Sequence, residues 1–444
     1  MNVPEIAANQ NPWWDNSSYR ATQFQQRRNL QREILKRITD FEDRRALMIL
    51  GPRQVGKTII LLQIVDDLAS EGFPLTNVLY FDFSDDRLLD VPTAREVMDS
   101  LHPNRDPNLP VILLLDEITE AHSWDRFLKQ VVDSGENRII ATDSSASLLR
   151  DGSRESGLGR WDEYQIGGLT CREYLLLSSL PGTDPDEALR AQPSLYSDYL
   201  EVGGFPEHVG SKDLLEVRRR IRSDIADKAI LRDLLRHNVD VGRARSVFIY
   251  LVQNSGSILS DAMISNRVEA SSETVSKWIA LLEDTQLIHR IHRFGSSAAS
   301  QLSSRPKYYA ADHGLVHAFG LSRSDDSTGK AQVYECLCYR HLRELLQEAS
   351  QRSECRISYF RTPSGLECDF IFSVDDRNLA IEVTSSANIS ERKIKRLRRV
   401  ANQVGSEHQI LIYGGSVPQV LDSVHLIPLR EFLLQPDRIL EFMK

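Results

Sequence analysis

Two clusters of residues near the start of this sequence could do phosphate chemistry. The first is Gly51-Pro52-Arg53-Gln54-Val55-Gly56-Lys57-Thr58, followed by Ile59, which fills every fixed position of GxxxxGK[ST]. The glycines let the backbone wrap an anion with its N–H groups pointing inward. A helix starting near Lys57 would add its positive N-terminal end at the same point. The stretch reads as a Walker A loop for ATP, with Lys57 reaching the β- and γ-phosphates and Thr58 giving its hydroxyl to Mg²⁺. The second cluster is Val111-Ile112-Leu113-Leu114-Leu115-Asp116-Glu117, an apolar strand with two acids at its end. Asp116 is placed to organise the Mg²⁺ shell and Glu117 to polarise an attacking water. A later strand ends in Thr142-Asp143-Ser144-Ser145, where Thr142 or Ser144 suits contact with the γ-phosphate better than Asp143, whose charge would repel it. Gly159-Arg160 follows on a loop. Arg160 could act in trans on a neighbour's γ-phosphate in a homo-oligomer, or be a surface arginine.

A third cluster lies far downstream: Glu335 on a predicted helix, Glu367-Cys368-Asp369 opening a strand, and Ile381-Glu382-Val383-Thr384 ending the next. This is the plan of a restriction-endonuclease-like site, in which Asp369 and Glu382 could hold a divalent cation and Glu335 complete the ligand set. The lysine such a site needs beside its water is missing. Thr384 stands in its place and cannot supply the charge. Lys393 or Lys395 from the following helix could substitute; otherwise these carboxylates are strand ends that face solvent.

Buried strands separated by helices must position the first two clusters. The expected strands are 46–50, 78–83, 111–115, 138–142 and a weaker 163–166, which together imply a parallel sheet with helices on both faces. Residues 1–25 form a polar arm carrying Trp13-Trp14, expected to dock on the domain that follows. The ATPase domain should span 26–180, a helical lid 181–240, a winged-helix-like domain 241–300, and a second α/β domain 301–444. Within 258–288, Ser271-Ser272-Glu273-Thr274 caps an amphipathic helix carrying Val275, Trp278, Ile279, Leu281 and Leu282. Such a helix could enter a DNA major groove, but its exposed face carries Glu273, Glu283 and Asp284 beside Lys277, which suits phosphate poorly. A protein-packing role is the alternative.

The 444 residues suggest two to four domains, and their composition is that of an ordinary globular protein. No apolar run nears the ~18–20 residues of a membrane span, and the first fifteen residues lack the layout of a secretory signal. The five cysteines are scattered and fit neither a disulfide framework nor a zinc site, so a reducing cytoplasmic location is expected. The net charge of −9 argues against a chain coated in nucleic acid over its whole surface, while leaving room for local basic patches. Two exist: Arg218-Arg219-Arg220 with Arg222, and Lys393, Lys395, Arg396, Arg398 and Arg399, the second on a helix whose other side is apolar.

Taken together, the chain resembles a large family of prokaryotic AAA+ type P-loop ATPases that pair the ATPase with a C-terminal domain of unknown function having a restriction-endonuclease-like fold. The resemblance rests on 51–58, Asp116-Glu117-Ile118 with Trp124, 142–145, Gly159-Arg160, Gly203-Gly204-Phe205-Pro206-Glu207, Arg232-Asp233, Asp312-His313-Gly314-Leu315, Glu335, Glu367-Cys368-Asp369 and Ile381-Glu382-Val383. It implies an ATPase core, a helical lid with a winged helix, and a nuclease-like end. Two departures from the family pattern are Asp143, where glycine is usual, and Thr384. The expected activity is Mg²⁺-dependent ATP hydrolysis, gating action on double-stranded DNA or on a partner assembled on DNA. Alternatives are an ATPase-controlled metal-dependent DNA nuclease, with defence against foreign DNA as one setting, and a signalling or scaffold ATPase that binds protein.

Overall fold

The continuous apolar runs of the N-terminal third become the strands of one parallel sheet. In this computed structural model they are β1 (Ala46–Leu50), β2 (Val78–Asp82), β3 (Ile112–Asp116), β4 (Arg138–Asp143) and β5 (Trp161–Gln165). The structure describes the chain apart from residues 1, 17, 41, 89, 91, 145–159, 181, 236, 296–304, 321–326, 351–352 and 444, and the Asp233 side chain. Ser145 and Gly159 therefore lie outside the described residues.

The strand order is β2-β3-β4-β1-β5, with every pairing parallel. All residues of β1 and β3 are buried, as expected for strands covered on both faces. Parallel pairing brings all the C-terminal strand ends to one edge, where ligands of open α/β sheets bind. There β4 lies between β1 and β3, so the loop after β1 and the acids closing β3 flank the end of β4.

The N-terminal arm covers the edge strand of this sheet. Asn11 acts as a one-residue strand mimic: its Nδ2 donates to Tyr80 O and its Oδ1 accepts from Tyr80 N, both at 2.7 Å. The Trp14 indole donates to Val78 O at 2.9 Å. These bonds use backbone groups that an exposed edge would offer to another chain.

The chain divides into two compact units, Met1–Ile166 and Gly167–Lys444. The regions expected as lid, winged-helix and C-terminal domains all fall within the second. That unit begins with helices. Leu214–Arg220 and Lys228–Leu235 are joined without a break through a π-helical stretch, Ile221–Asp227. Helices Val241–Gln253, Asp261–Val268 and Ser272–Asp284 follow, and then an antiparallel pair, β6 (Ile288–Ile291) and β7 (Lys307–Ala310). A six-stranded sheet comes last: β8 (Cys355–Arg361), β9 (Glu367–Val374), β10 (Arg377–Thr384), β11 (Gln409–Tyr413), β12 (Gln419–Leu421) and β13 (Val424–Pro428), in the order β12-β13-β11-β10-β9-β8. Strands β8, β9 and β10 form an antiparallel meander, whereas β10, β11 and β13 are parallel. The helix Glu391–Val404 makes the crossover from β10 to β11, burying Ile394, Leu397, Val400, Ala401 and Val404 against the sheet.

The Gly203-Gly204 string has a packing explanation. Gly204 N donates to both carboxylate oxygens of the fully buried Asp312 at 3.0 Å, and Gly314 N donates to its Oδ1 at 2.7 Å. A Cβ on Gly204 would sit 2.5 Å from Asp312 Oδ2 and 2.7 Å from Leu169 O. Gly203 has φ +97°, where a side chain is strained.

Candidate functional site

Loop 51–58 turns directly from β1 into the helix Lys57–Ser70. The turn needs Gly56 at φ +95° and holds Gln54 at φ 63°. Gly51 passes so close to Ile166 that a Cβ would meet its carbonyl oxygen at 2.1 Å. The Lys57 ammonium donates back to Gly51 O (2.9 Å) and Pro52 O (3.1 Å), lying over the loop, and stands 3.8 Å from Glu117 Oε1. Arg28 braces the loop from outside, its Nη1 donating to Val55 O at 3.0 Å. The Nε of Arg53, within the loop, is buried without a hydrogen-bond partner.

Asp116 and Glu117 reach this loop. Thr58 Oγ1 donates to Asp116 Oδ2 at 2.6 Å, and Tyr80 OH donates to the same oxygen at 3.2 Å. Thr142 Oγ1 donates to Asp116 Oδ1. Burial lifts the Asp116 carboxyl above its ordinary pKa, against the opposing pull of the Thr142 and Thr58 hydroxyls. The same burial, with Asp116 next to it, drives the Tyr80 phenol far up. Asp82, paired with Asp116 across β2 and β3, is also raised by burial. Glu117 occupies the left-handed region (φ 51°, ψ 50°), a conformation that non-glycine residues hold at a cost and that clusters at functional sites. Its N–H donates to Thr142 Oγ1 (3.2 Å), and its Oε2 accepts from Ser144 Oγ (2.9 Å).

The hydroxyls of Thr142 and Ser144, expected near the γ-phosphate, are thus engaged by the two acids and orient them. The Asp143 carboxylate accepts from Thr119 N (3.2 Å) and from the Thr119 hydroxyl, pinning the turn after Glu117. Arg160 precedes β5, and its carbonyl accepts from Ala46 N at the start of β1, so it lies at the opposite end of the sheet from the loop. Its Nε donates to Asp133 at 2.9 Å.

The donor set suits Mg²⁺. A hydroxyl and a carboxylate oxygen 2.6 Å apart are hard ligands, and a buried carboxylate with a raised pKa gains from a nearby cation. Magnesium commonly takes one or two protein oxygens and fills its remaining positions with water and phosphate. Tyr80, Arg28 and Asp82 carry no sequence signal of their own: Tyr80 and Asp82 read as ordinary strand residues, and Arg28 lies in a polar arm.

Three of the C-terminal carboxylates gather around one buried lysine. Lys307, 2% exposed, comes from β7 and places its ammonium 3.1 Å from Glu335 Oε1, 3.2 Å from Asp369 Oδ1 and 3.6 Å from Glu367 Oε1. Tyr309 OH donates to Glu335 Oε1 at 2.6 Å. Among the described residues, no group of three or more His, Cys, Asp or Glu side chains is disposed to hold a metal ion. The Lys307 ammonium thus stands between Glu335 and Asp369, two of the three carboxylates of the expected metal set. Glu382 meets Lys393 (Oε1 to Nζ, 3.5 Å), and Lys393 also donates to Val383 O at 3.4 Å. Burial first, then the Asp369 charge, raises the carboxyls of both Glu335 and Glu382.

Residues 43–175 match a family model described as an AAA domain, 193–326 a domain of unknown function (DUF8612), and 330–432 another (DUF4143). An uncharacterized protein of Haemophilus influenzae is 29% identical over 296 residues, covering 64% of this chain and 72% of its own length. Uncharacterized protein MJ1637 of Methanocaldococcus jannaschii is 27% identical over 445 residues, covering 90% and 88%. Among solved structures, the Aeropyrum pernix ORC1 protein in complex with DNA aligns with a TM-score of 0.31 at 14% identity, covering 71% of this chain and 96% of that one. Replication initiator DnaA bound to AMPPCP and single-stranded DNA aligns with a TM-score of 0.29 at 16% identity, covering 58% and 87%. The segment that matches the AAA domain holds the 51–58 loop, Asp116 and Glu117, and all five strands of the parallel sheet.

Proposed function

We propose that this protein is a Mg²⁺-dependent ATP hydrolase that works as a nucleotide-gated switch on duplex DNA or on a partner assembled on DNA. The observation that carries the reading is the 2.6 Å contact of Thr58 with Asp116, at the mouth of a glycine loop whose lysine stands 3.8 Å from Glu117. In the bound state, the 51–58 amides and Lys57 hold the phosphates, which draws the ammonium away from the two carbonyls it now caps. Thr58 and Asp116 hold Mg²⁺, which when bound neutralises charge on the phosphate oxygens. Glu117, oriented by Ser144, accepts the proton of the attacking water. Arg160 is proposed to act in trans in a homo-oligomer, which would require it to leave Asp133. The three helices within 241–284 with the β6–β7 pair support a winged-helix reading, and the mixed sheet β8–β13 supports a restriction-endonuclease-like one.

Lys57→Ala tests the site. Fluorescent-nucleotide binding should weaken by roughly 100-fold or more, since a charge-assisted contact to phosphate is lost. Unchanged affinity would remove the loop from its role.

The second reading, an ATPase-controlled nuclease, draws on one contact. Lys393 lies within 3.5 Å of Glu382 and brings a lysine near the position held by Thr384. It predicts plasmid nicking with Mg²⁺ or Mn²⁺ that disappears in Asp369→Ala.

A further inference from the structure

We propose that the groove beside the helix Glu391–Val404 grips the phosphodiester backbone of duplex DNA. The groove measures about 600 Å³ and runs between this helix and the turn joining β8 to β9. Ser364 and Gly365 line one side, and Arg392, Lys395, Arg396 and Arg399 the other. Because Ile394, Leu397 and Val400 bury the opposite side of the helix, the cations are forced outward, roughly two to each ~5.4 Å turn. Within 392–399 the sequence places Arg392, Lys393, Lys395, Arg396, Arg398 and Arg399, in a chain of net charge −9.

The charges in the groove are only partly satisfied. Lys395 pairs with Glu391 at 3.0 Å, and Arg396 donates to Gly365 O at 3.4 Å. Arg398, pointing away from the groove, approaches Asp422 at 3.9 Å. The Arg392 and Arg399 side chains are exposed and make no ion pair or hydrogen bond among the described residues. Glu391 is the one acid in the lining. Exposed guanidinium groups in a row suit a polymer carrying one phosphate charge per ~1.7 Å of duplex axis.

The lining also argues against other occupants. It holds no aromatic side chain, so it offers no platform on which unpaired bases could stack. Its one large apolar residue, Leu366, is 6% exposed, which leaves nothing to insert into a lipid surface. By contrast, the helix Ser272–Asp284 spends its Lys277 on Glu273 at 2.9 Å. Lys393 extends from the inner edge of the basic helix to Glu382, so DNA in the groove would pass the end of the sheet that carries the C-terminal carboxylates.

This inference rests on the DNA-directed part of the proposed function and not on hydrolysis. The test uses the full chain and a fluorescent duplex of about three helical turns, titrated by anisotropy at several salt concentrations. The variant Arg392→Ala/Arg396→Ala/Arg399→Ala should lose at least tenfold in affinity, and its log–log salt slope should shrink by about 2 to 3, near 0.9 per lost phosphate contact. The matching triple Arg→Lys variant should keep most of the binding, and Lys277→Ala should bind like the parent. A triple-alanine variant that binds duplex as the parent does would overturn the proposal, as would a parent that binds no duplex or prefers single strands. Nucleotide binding measured in the same samples keeps a failure of the ATP site distinct from a failure of the groove.

Discussion

At the residue scale, the candidate site is a chain of hydroxyls holding carboxylates. Thr58, Tyr80 and Thr142 converge on Asp116, and Ser144 fixes Glu117. Each hydroxyl donates to an acceptor that would otherwise be buried without a partner or free to rotate. Ser144 acts through Glu117, so it is a positioning residue. Ser144→Ala should lower kcat about tenfold, the value of one hydrogen bond to a charged group, while leaving KM for ATP nearly unchanged. Ser144→Thr should recover most of the loss. Equal effects on kcat and on nucleotide affinity would instead mark Ser144 as a ligand contact. The loop, Asp116 and Glu117 were legible in the sequence because spacing alone carries their chemistry. Tyr80 was not, since a tyrosine in a strand reads as core. Lys307 was not, because its partners lie 28 and 62 residues along the chain and meet it only through the fold.

At the element scale, strands β1, β3 and β4 announce themselves as short apolar runs bounded by polar residues, and the parallel sheet follows from the helices between them. The way the arm attaches does not: a single asparagine amide pairs with strand backbone 69 residues away, and no local pattern encodes that. Gly203-Gly204 stood out in the sequence, but the reason, a buried Asp312 accepting from Gly204 N, needs coordinates. Gly204→Ala tests this packing. Its Cβ would land 2.5 Å from a carboxylate oxygen, so the full chain should lose about 2 kcal/mol or more in denaturant unfolding. An unchanged midpoint would mean that the Asp312 clasp can relax at little cost.

At the scale of the whole molecule, charge is unevenly distributed. A chain of net −9 gathers cations on one helix and buries acids around Lys307. Glu335 and Glu382 have native pKa values raised by burial, so the native state keeps protons that the unfolded chain has released. Stability should therefore fall as pH rises from the ordinary glutamate range through neutrality, by up to about 1.4 kcal/mol per pH unit for each group. Urea midpoints should be lower at about pH 8 than at about pH 6, and Glu382→Gln should flatten the slope; a slope unchanged by that substitution would contradict the assignment. Among the described residues, no helix is long and apolar enough to cross a membrane. The central claim, that the end of β3 and the 51–58 loop hydrolyse ATP, is tested most directly by Glu117→Gln, with ATP binding and phosphate release measured on the same preparation. The account predicts affinity within about twofold of the parent and turnover reduced roughly 100-fold or more. Turnover equal to the parent's would contradict it.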